Sequence, residues 1–413
     1  MTRKLKIGVF GGARGRVMIE VLMYHPDAEL VAVCDKYQPI LDSVAAKAKE
    51  LGQTVACYPD FEDFIQHDMD AVVLANYAIE HAPFAIRCME AGMHVLSEVL
   101  PSETMAQAVE LIECVERTGK VYAYAENYCY MNDTFEMWRR CKAGDIGEVQ
   151  YCEAAYKHDC SGGWVGITYG EREHWRNHLI PTFYCTHSLG PVMMMTGARP
   201  VQVVGFENPP LDCFFELGHP GGHASGIEMV TMDNGAVIHS VHGPLKCEPP
   251  EVKYNVYGAK GAMRGQGGQV YFYREGEHYG QGESQQYAPE KFVALDKALG
   301  SGVDTHGGSD FYPTHCFIEK ILGRPDGQWS IDVYQAVDMG ICGILAYRSI
   351  LNGNQPVKVP NLRNPEERDA YRNDHACTNP AVAGNQLIPC SSYGERDLPD
   401  ELFDKLRAQW EGK

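Results

Sequence analysis

The sequence lacks any apolar run approaching the roughly 20 residues of a membrane-spanning helix. It also lacks a CxxC pair, an internal repeat and any surplus of positive charge. Each absence excludes a class. The apolar stretch at residues 7–10 follows a basic start but is too short for the core of a signal peptide, so neither a membrane nor export is expected. With 36 basic against 55 acidic residues the formal charge is −19. Such a chain cannot neutralise a run of phosphates, so neither nucleic acid nor an anionic membrane surface is an expected partner. The fifteen cysteines are scattered, and the closest pair is Cys152 and Cys160. They form neither a zinc ribbon nor a thioredoxin-type motif. In a long chain with no export signal they are expected to stay reduced in a cytoplasm. Asn132-Asp133-Thr134 fits the glycosylation pattern, which then has no use. His174 and His178, four apart, would share a helix face, but no third ligand stands at a diagnostic spacing, so no metal is expected.

What is present describes a globular protein. The 413 residues are 45% hydrophobic, with 23 Tyr and 14 Phe, enough for two or three domains with sizeable cores. Strand-like and helix-like segments alternate over the first 125 residues. Buried strands are predicted over 6–10, 30–34, 71–75, 93–96 and 121–124, and helices over 16–24, 38–51, 82–91 and 104–118. In the second helix Ile40, Leu41, Val44, Ala45 and Ala48 share one face. This alternation means βαβ units and a parallel sheet covered on both faces. After residue 125 the texture changes. A helix is predicted over 137–143, a strand over 149–156, then a loop rich in Gly, His and Trp through residue 177. Strands follow over 201–206, 227–233, 237–241, 251–257 and 270–274, with Asn234-Gly235 a hairpin signal between two of them. A long apolar helix is predicted over 333–351, and the Pro-, Asn- and charge-rich stretch beyond 360 reads as an extended tail on the surface or on a neighbouring subunit. The expected division is 1–125, 126–360 and a tail at 361–413.

Gly11-Gly12-Ala13-Arg14-Gly15 follows the first strand and opens a helix, the context a pyrophosphate-binding turn requires. The spacing departs from G-x-G-x-x-G, because Gly12 and Gly15 match its last two glycines while the first position is Phe10. Asp35, twenty residues after Gly15 at the end of the second strand, supplies a carboxylate that accepts from both ribose hydroxyls and repels a 2′-phosphate. A dinucleotide site follows, with NAD favoured over NADP and Lys36 leaving the second open.

The segment from Asp70 to His81, followed by Glu90-Ala-Gly-Met-His-Val-Leu-Ser-Glu98, resembles the Gfo/Idh/MocA oxidoreductases over the whole first domain. The resemblance implies an α/β protein, with a Rossmann domain joined to an α+β domain that has a large, mostly antiparallel open sheet. That sheet commonly pairs two copies, so a homo-oligomer is expected. The family's Glu-Lys-Pro reads Glu98-Val99-Leu100 here, so the proton-moving lysine is missing. A narrower resemblance accounts for this. The NAD-dependent α-N-acetylgalactosaminidases also carry Glu-Val there, and their second domain is similar at five ordered places. These are Glu126-Asn127-Tyr128-Cys129-Tyr130, Ala155-Tyr156-Lys157-His158-Asp159, the stretch from His174-Trp175-Arg176 to Tyr184-Cys185-Thr186-His187, His306-Gly307-Gly308-Ser309-Asp310, and Asp332-Val333-Tyr334.

In that branch NAD takes hydride from C3 of a sugar, elimination expels the C1 group, water adds, and the hydride returns. The resemblance implies His187 as the base for the C3 hydroxyl, Tyr184 one turn away as its partner, and Tyr156 with His158 for proton transfer or sugar binding. It implies Tyr130, Trp175, Arg176 and His306 against the sugar. It places Gly11, Gly12, Ala13, Arg14, Gly15, Asp35, Asn76, His81, Glu98 and Asn127 around NAD. Taken singly, a His beside Gly-Pro is more often structural, Tyr156 would be a strand aromatic and Trp175 core. The branch's elimination tyrosine, counted back from Gly258-Ala259-Lys260-Gly261, falls near Pro250, with Tyr254 and His242 as out-of-register substitutes. Two enzymatic readings therefore stand, a glycoside-cleaving enzyme and a sugar or glycoside 3-dehydrogenase. A non-catalytic NAD-binding sensor ranks below both, since a sensor has no need of the His and Tyr constellation.

Overall fold

The computed structural model describes residues 3–247, 249–278, 280–290 and 309–412. They form two compact units, one of Met1–Glu103, Gln107–Asn132 and Glu290–Val337, the other of Thr104–Ala106, Asp133–Pro289 and Asp338–Lys413. The sequence boundary at 125 thus falls a few residues early, and the stretch expected to continue the second domain returns to the first near Glu290.

In the first unit six strands run β1 (Leu5–Phe10), β2 (Ala28–Cys34), β3 (Ala56–Tyr58), β4 (Ala71–Leu74), β5 (His94–Ser97) and β6 (Tyr122–Tyr124). They pair in the order β3-β2-β1-β4-β5-β6, every pair parallel. Ile7 and Val9 of β1 and all of β4 have no solvent exposure, as strands covered on both faces require. Helices Arg16–Tyr24, Gln38–Glu50, His81–Glu90 and Met105–Thr118 connect them, close to the predicted spans. The strand order reverses between β1 and β4, and crevices at such reversals bind ligands at the carboxyl ends of the strands. Gly11 and Asn76 follow those two ends.

The second unit is built on nine strands: β7 (Val149–Lys157), β8 (Pro200–Glu207), β9 (Gly226–Met232), β10 (Val237–Gly243), β11 (Glu251–Gly258), β12 (Gly261–Gln266), β13 (Gln269–Arg274), β14 (Glu283–Tyr287) and β15 (Val357–Lys358). Their order is β14-β13-β12-β11-β7-β10-β9-β8-β15. All neighbours are antiparallel except β7 with β10, where Tyr156 lies beside His242. One face carries two helices. Thr186–Thr196 is tied to the sheet by Tyr254 Oη, which donates to His187 O at 2.6 Å, and by Ser188 Oγ at 2.8 Å from Ser240 Oγ. Val333–Leu351 is tied through Gly205 N, which donates to Ser349 Oγ at 3.1 Å. The tail beyond 360 is not extended. It forms helices Pro365–Arg368, Pro380–Ala383 and Asp400–Trp410 within this unit, with Arg348 and Asp374 in a bidentate pair at 2.5 and 2.6 Å. Its apolar residues are too sparse for periodicity to reveal that docking.

Candidate active site

On the nucleotide side the turn after β1 is shaped by backbone approach. Gly11 has φ +95°, and a Cβ there would lie 2.3 Å from Ala75 O at the end of β4. Helix Arg16–Tyr24 starts behind Gly15 with no side-chain cap, so its first N–H groups face the turn. Asp35 is aimed by two backbone donors: Gly12 N reaches Oδ2 at 2.7 Å and Tyr37 N reaches Oδ1 at 2.8 Å. A Cβ on Gly12 would fill the space between the turn and this carboxylate, 3.5 Å from Oδ2. Asn76 donates to Glu80 at 3.1 Å, leaving its buried Oδ1 without a partner among the described residues. Together these fit a dinucleotide, whose pyrophosphate, ribose hydroxyls and carboxamide need a helix N-terminus, a carboxylate and amide groups. Asp35→Ala is expected to weaken NAD binding about 10–100-fold, the value of charge-assisted hydrogen bonds, and to narrow the preference over NADP. Titration of the apo chain with each dinucleotide measures both.

His81 is buried, its Nδ1 donates to Leu100 O at 3.0 Å, and burial pushes its pKa down to about 4, so it stays neutral. Arg14 pairs with Glu98 Oε1 at 2.6 Å and Asp310 Oδ1 at 2.9 Å, tying the turn to two buried carboxylates. Asp310 was visible in the sequence only as the last residue of the His-Gly-Gly-x-Asp match. Asn127 is buried in the turn Asn127–Tyr130, capped by Glu126, whose carboxylate accepts from Tyr128 N at 3.2 Å. Tyr130 departs from its expected role. Its ring is buried and its hydroxyl donates to Trp329 O at 2.8 Å, so it is packing, not a sugar contact. His306 lies outside the described residues.

The expected sugar-side residues converge in the second unit. His187, in the first turn of Thr186–Thr196, stands edge-on between Tyr156 at 4.9 Å and Tyr184 at 5.1 Å between ring centroids. Tyr156 stacks on His158 at 5.6 Å, and Tyr184 on Trp175 at 6.3 Å. Arg176 covers Trp175 at 4.5 Å, and its Nη2 donates to Tyr184 Oη at 3.2 Å. Tyr184 Oη thus accepts from a cation and keeps its own O–H to donate. The substitutes for the missing elimination tyrosine are both committed elsewhere. Tyr254 Oη holds His187 O, and His242 Nε2 sits 2.7 Å from buried Glu228 Oε1. The His174/His178 pair gathers no third ligand among the described residues. His315, Glu319 and Asp326 do cluster within 4.8 Å, but Arg324 Nη1 at 3.1 Å from Glu319 already supplies a positive charge there.

A family model described as "Oxidoreductase family, NAD-binding Rossmann fold", named GFO_IDH_MocA, matches residues 5–126. One described as "Glycosyl hydrolase 109, C-terminal domain" matches residues 222–366. The chain thus joins a Gfo/Idh/MocA NAD-binding Rossmann domain at 5–126 to a glycosyl hydrolase 109 C-terminal domain at 222–366. The relatives agree with this glycosyl hydrolase 109 architecture. A glycosyl hydrolase family 109 protein of Stenotrophomonas maltophilia (strain K279a) is 26% identical over 418 residues, covering 87% of this chain and 89% of its own. One of Solibacter usitatus (strain Ellin6076) is 28% identical over 400 residues, covering 87% and 88%. Among solved structures, a levoglucosan dehydrogenase in complex with NADH and levoglucosan matches with TM-score 0.71 at 15% identity, over 87% of this chain and 100% of the other. A myo-inositol 2-dehydrogenase from Lactobacillus plantarum gives 0.66 at 18%, over 87% and 100%. These two show the fold. The chain is an NAD-dependent enzyme, and among its described residues no helix is long and apolar enough to cross a membrane.

Proposed function

We propose that the chain oxidises C3 of a sugar glycoside transiently and cleaves the glycosidic bond by elimination and hydration. The observation that carries this reading is His187 held between the rings of Tyr156 and Tyr184 in a protein with a glycosyl hydrolase 109 domain. Bound NAD supplies the acceptor for the C3 hydride and its later return. His187 takes the C3 hydroxyl proton. Oxidation to a ketone acidifies the C2 proton, and a tyrosine–histidine pair, Tyr156 with His158, removes it as the C1 oxygen leaves. Tyr184, its oxygen held by Arg176, donates to the departing oxygen, while Trp175, buried and covered by Arg176 and Tyr184, backs these two groups and does not offer the sugar-stacking face expected of it. Tyr156→Phe and Tyr184→Phe keep the rings and remove the hydroxyls, so each is expected to lower kcat about 100-fold with little change in KM. Steady-state kinetics on one aryl glycoside measure both.

A 3-dehydrogenase is the second reading, favoured by the prior commitment of Tyr254 and His242, the substitutes for the elimination tyrosine. One experiment separates the two. Protein purified without added nucleotide is examined for NAD(H) absorbance and offered a panel of aryl glycosides. Aglycone release without net NADH supports cleavage, stoichiometric NADH supports the dehydrogenase, and neither across the panel overturns both.

The sheet also supports a second copy as partner. Phe206, Tyr257, Tyr271 and Tyr273 are each about two-fifths exposed on the face away from the two helices, alternating with buried Gly205, Val256, Val270 and Phe272. Tyr257, Tyr271 and Tyr273 lie on β11 and β13, the two strands that flank β12, and exposed aromatics grouped on one sheet face favour a protein partner. Tyr271→Glu with Tyr273→Glu is expected to shift the protein to a lower mass by light scattering. An unchanged mass would remove this face from assembly.

A further inference from the structure

The loop that carries Trp175 and Arg176 has no sheet ladder to hold it. It is a set of short turns, Ser161–Gly163, Trp164–Thr168 and Trp175–His178, joined by irregular chain. At its midpoint Tyr169 and Gly170 are both left-handed, with φ +56° and +64°. That reversal brings the backbone against helix Asp400–Trp410. A Cβ on Gly170 would lie 2.5 Å from Leu406 C and 2.6 Å from Arg407 N, so two main chains touch where only glycine fits.

Around this contact the helix and loop are joined on all sides. Val165, Phe403 and Leu406 are buried together, with Leu217, Leu398, Leu402 and Trp410 packed against them. Arg407 Nη1 donates to Tyr169 O at 3.1 Å and pairs with Glu171 at 3.1 Å. Arg172 donates to Leu398 O at 3.0 Å, pairs with Asp400 at 2.6 Å and covers the Phe403 ring at 4.1 Å. Exposed ion pairs hold little, so the buried apolar contacts dominate. A helix of 11 residues is not stable alone, and its order and the loop's depend on each other.

From this helix a continuous row of rings leads to the catalytic cluster. Trp410 meets Tyr169 at 5.5 Å, Tyr169 meets His174 at 5.8 Å, and His174 stacks on Trp175 at 6.0 Å. Trp175 stacks on Tyr184 and Tyr184 meets His187. His174 Nδ1 also accepts from Arg176 N at 3.3 Å, so the same imidazole sets the start of the Arg176 turn. Residues 367–412 lie outside both matched family ranges, and neither match assigns them a part in the site.

We propose that helix Asp400–Trp410 is the positioning element for Trp175 and Arg176, acting through Tyr169 and His174 to set the enzyme's affinity for its glycoside. The proposal rests on the reading of Arg176, which Trp175 backs, as a sugar contact. Helix Asp400–Trp410, Tyr169 and His174 are assigned neither a catalytic nor a nucleotide role, so their loss is expected to act on KM through Arg176 and to leave the nucleotide in place.

The test uses the full-length, NAD-loaded enzyme and an aryl glycoside that the wild type cleaves. Trp410→Ala and Gly170→Ala are expected to raise KM about 10-fold or more, with kcat falling far less, since a small displacement of binding groups is costly. Amide hydrogen exchange should quicken over residues 161–178, and bound NAD(H) should stay at the wild-type level. Trp410→Phe, which keeps a ring against Tyr169, should recover most of the affinity. Faster exchange with unchanged KM would reduce the helix to a purely structural part and overturn the proposal, as would unchanged exchange. If Gly170→Ala does not fold, Trp410→Ala against Trp410→Phe decides alone. A wild type that releases no aglycone defeats the functional reading instead, so the two failures are distinct.

Discussion

His187→Ala is expected to lower glycoside turnover by roughly 10²–10⁴-fold, the range for losing a positioned general base. The loss should fall on kcat, because the Arg176–Tyr184 contact and the packing of Trp175 behind it do not pass through the His187 ring. The backbone of the substituted residue should stay in place, since Tyr254 Oη holds the carbonyl and not the imidazole. Bound NAD should remain, as the Asp35 and Gly12 contacts lie in the other unit. Presteady-state NADH formation is the decisive measurement. A slow burst in His187→Ala places the residue at the C3 hydroxyl. A normal burst followed by slow aglycone release would move it to elimination, and full turnover would remove it from the chemistry.

The second large effect is on stability in acid. Burial pushes the pKa of His25 and His81 down to about 4 and that of His223 to about 3, and drives His219 well below its ordinary value. An unfolded histidine titrates near 6.5, so below that pH the unfolded chain takes up protons that the folded chain refuses. Stability is therefore complete above about pH 6.5 and falls as the pH drops toward 4. A depression from 6.5 to about 4 corresponds to about 3 kcal/mol for His81 alone. Glu80 and Asp133 oppose the trend, because burial raises their pKa and folding favours their protonated forms. Two carboxyls do not offset four buried imidazoles, which lie two in each unit. Urea midpoints should thus be clearly lower at pH 5 than at pH 7, and His81→Gln should flatten the slope. Equal midpoints at the two pH values would mean that the rings find protonated partners in the fold.

The parallel sheet was legible because β4 is an unbroken apolar run, β1 and β2 are apolar apart from Lys6 and Glu29 near their starts, and the helices between have a clear period. β3 was not, since three half-buried residues at a sheet edge carry no pattern. β12 and β14 were missed for a related reason. Gly261-Ala-Met-Arg-Gly-Gln266 and Glu283-Ser-Gln-Gln-Tyr287 are held by register with their neighbours, not by alternation of their own. The sequence named candidates by residue type, such as Asp35, His187 and Tyr184, and the fold brings His187 and Tyr184 into ring contact. A role that depends on direction was not legible. Tyr130 has the right type but points its hydroxyl at Trp329 O, and no sequence pattern tells an inward tyrosine from an outward one. Asp310 and helix Asp400–Trp410 escaped because each acts on a residue hundreds of positions away, Arg14 in one case and Tyr169 in the other.

The return of the chain near Glu290 to the first unit bears on how the protein is made. Asp310, the buried partner of Arg14, and Arg324, which closes on Asp27 at 2.7 Å, are translated long after the turn they steady. The nucleotide-binding body therefore cannot be completed on the ribosome as its own strands emerge. It must wait, partly assembled, while eight of the nine strands of the second sheet, β7 to β14, are synthesised in between. A gene fragment cut after Asn132 would encode all six parallel strands yet lack the segment that closes them, so the dinucleotide site is not a separable module.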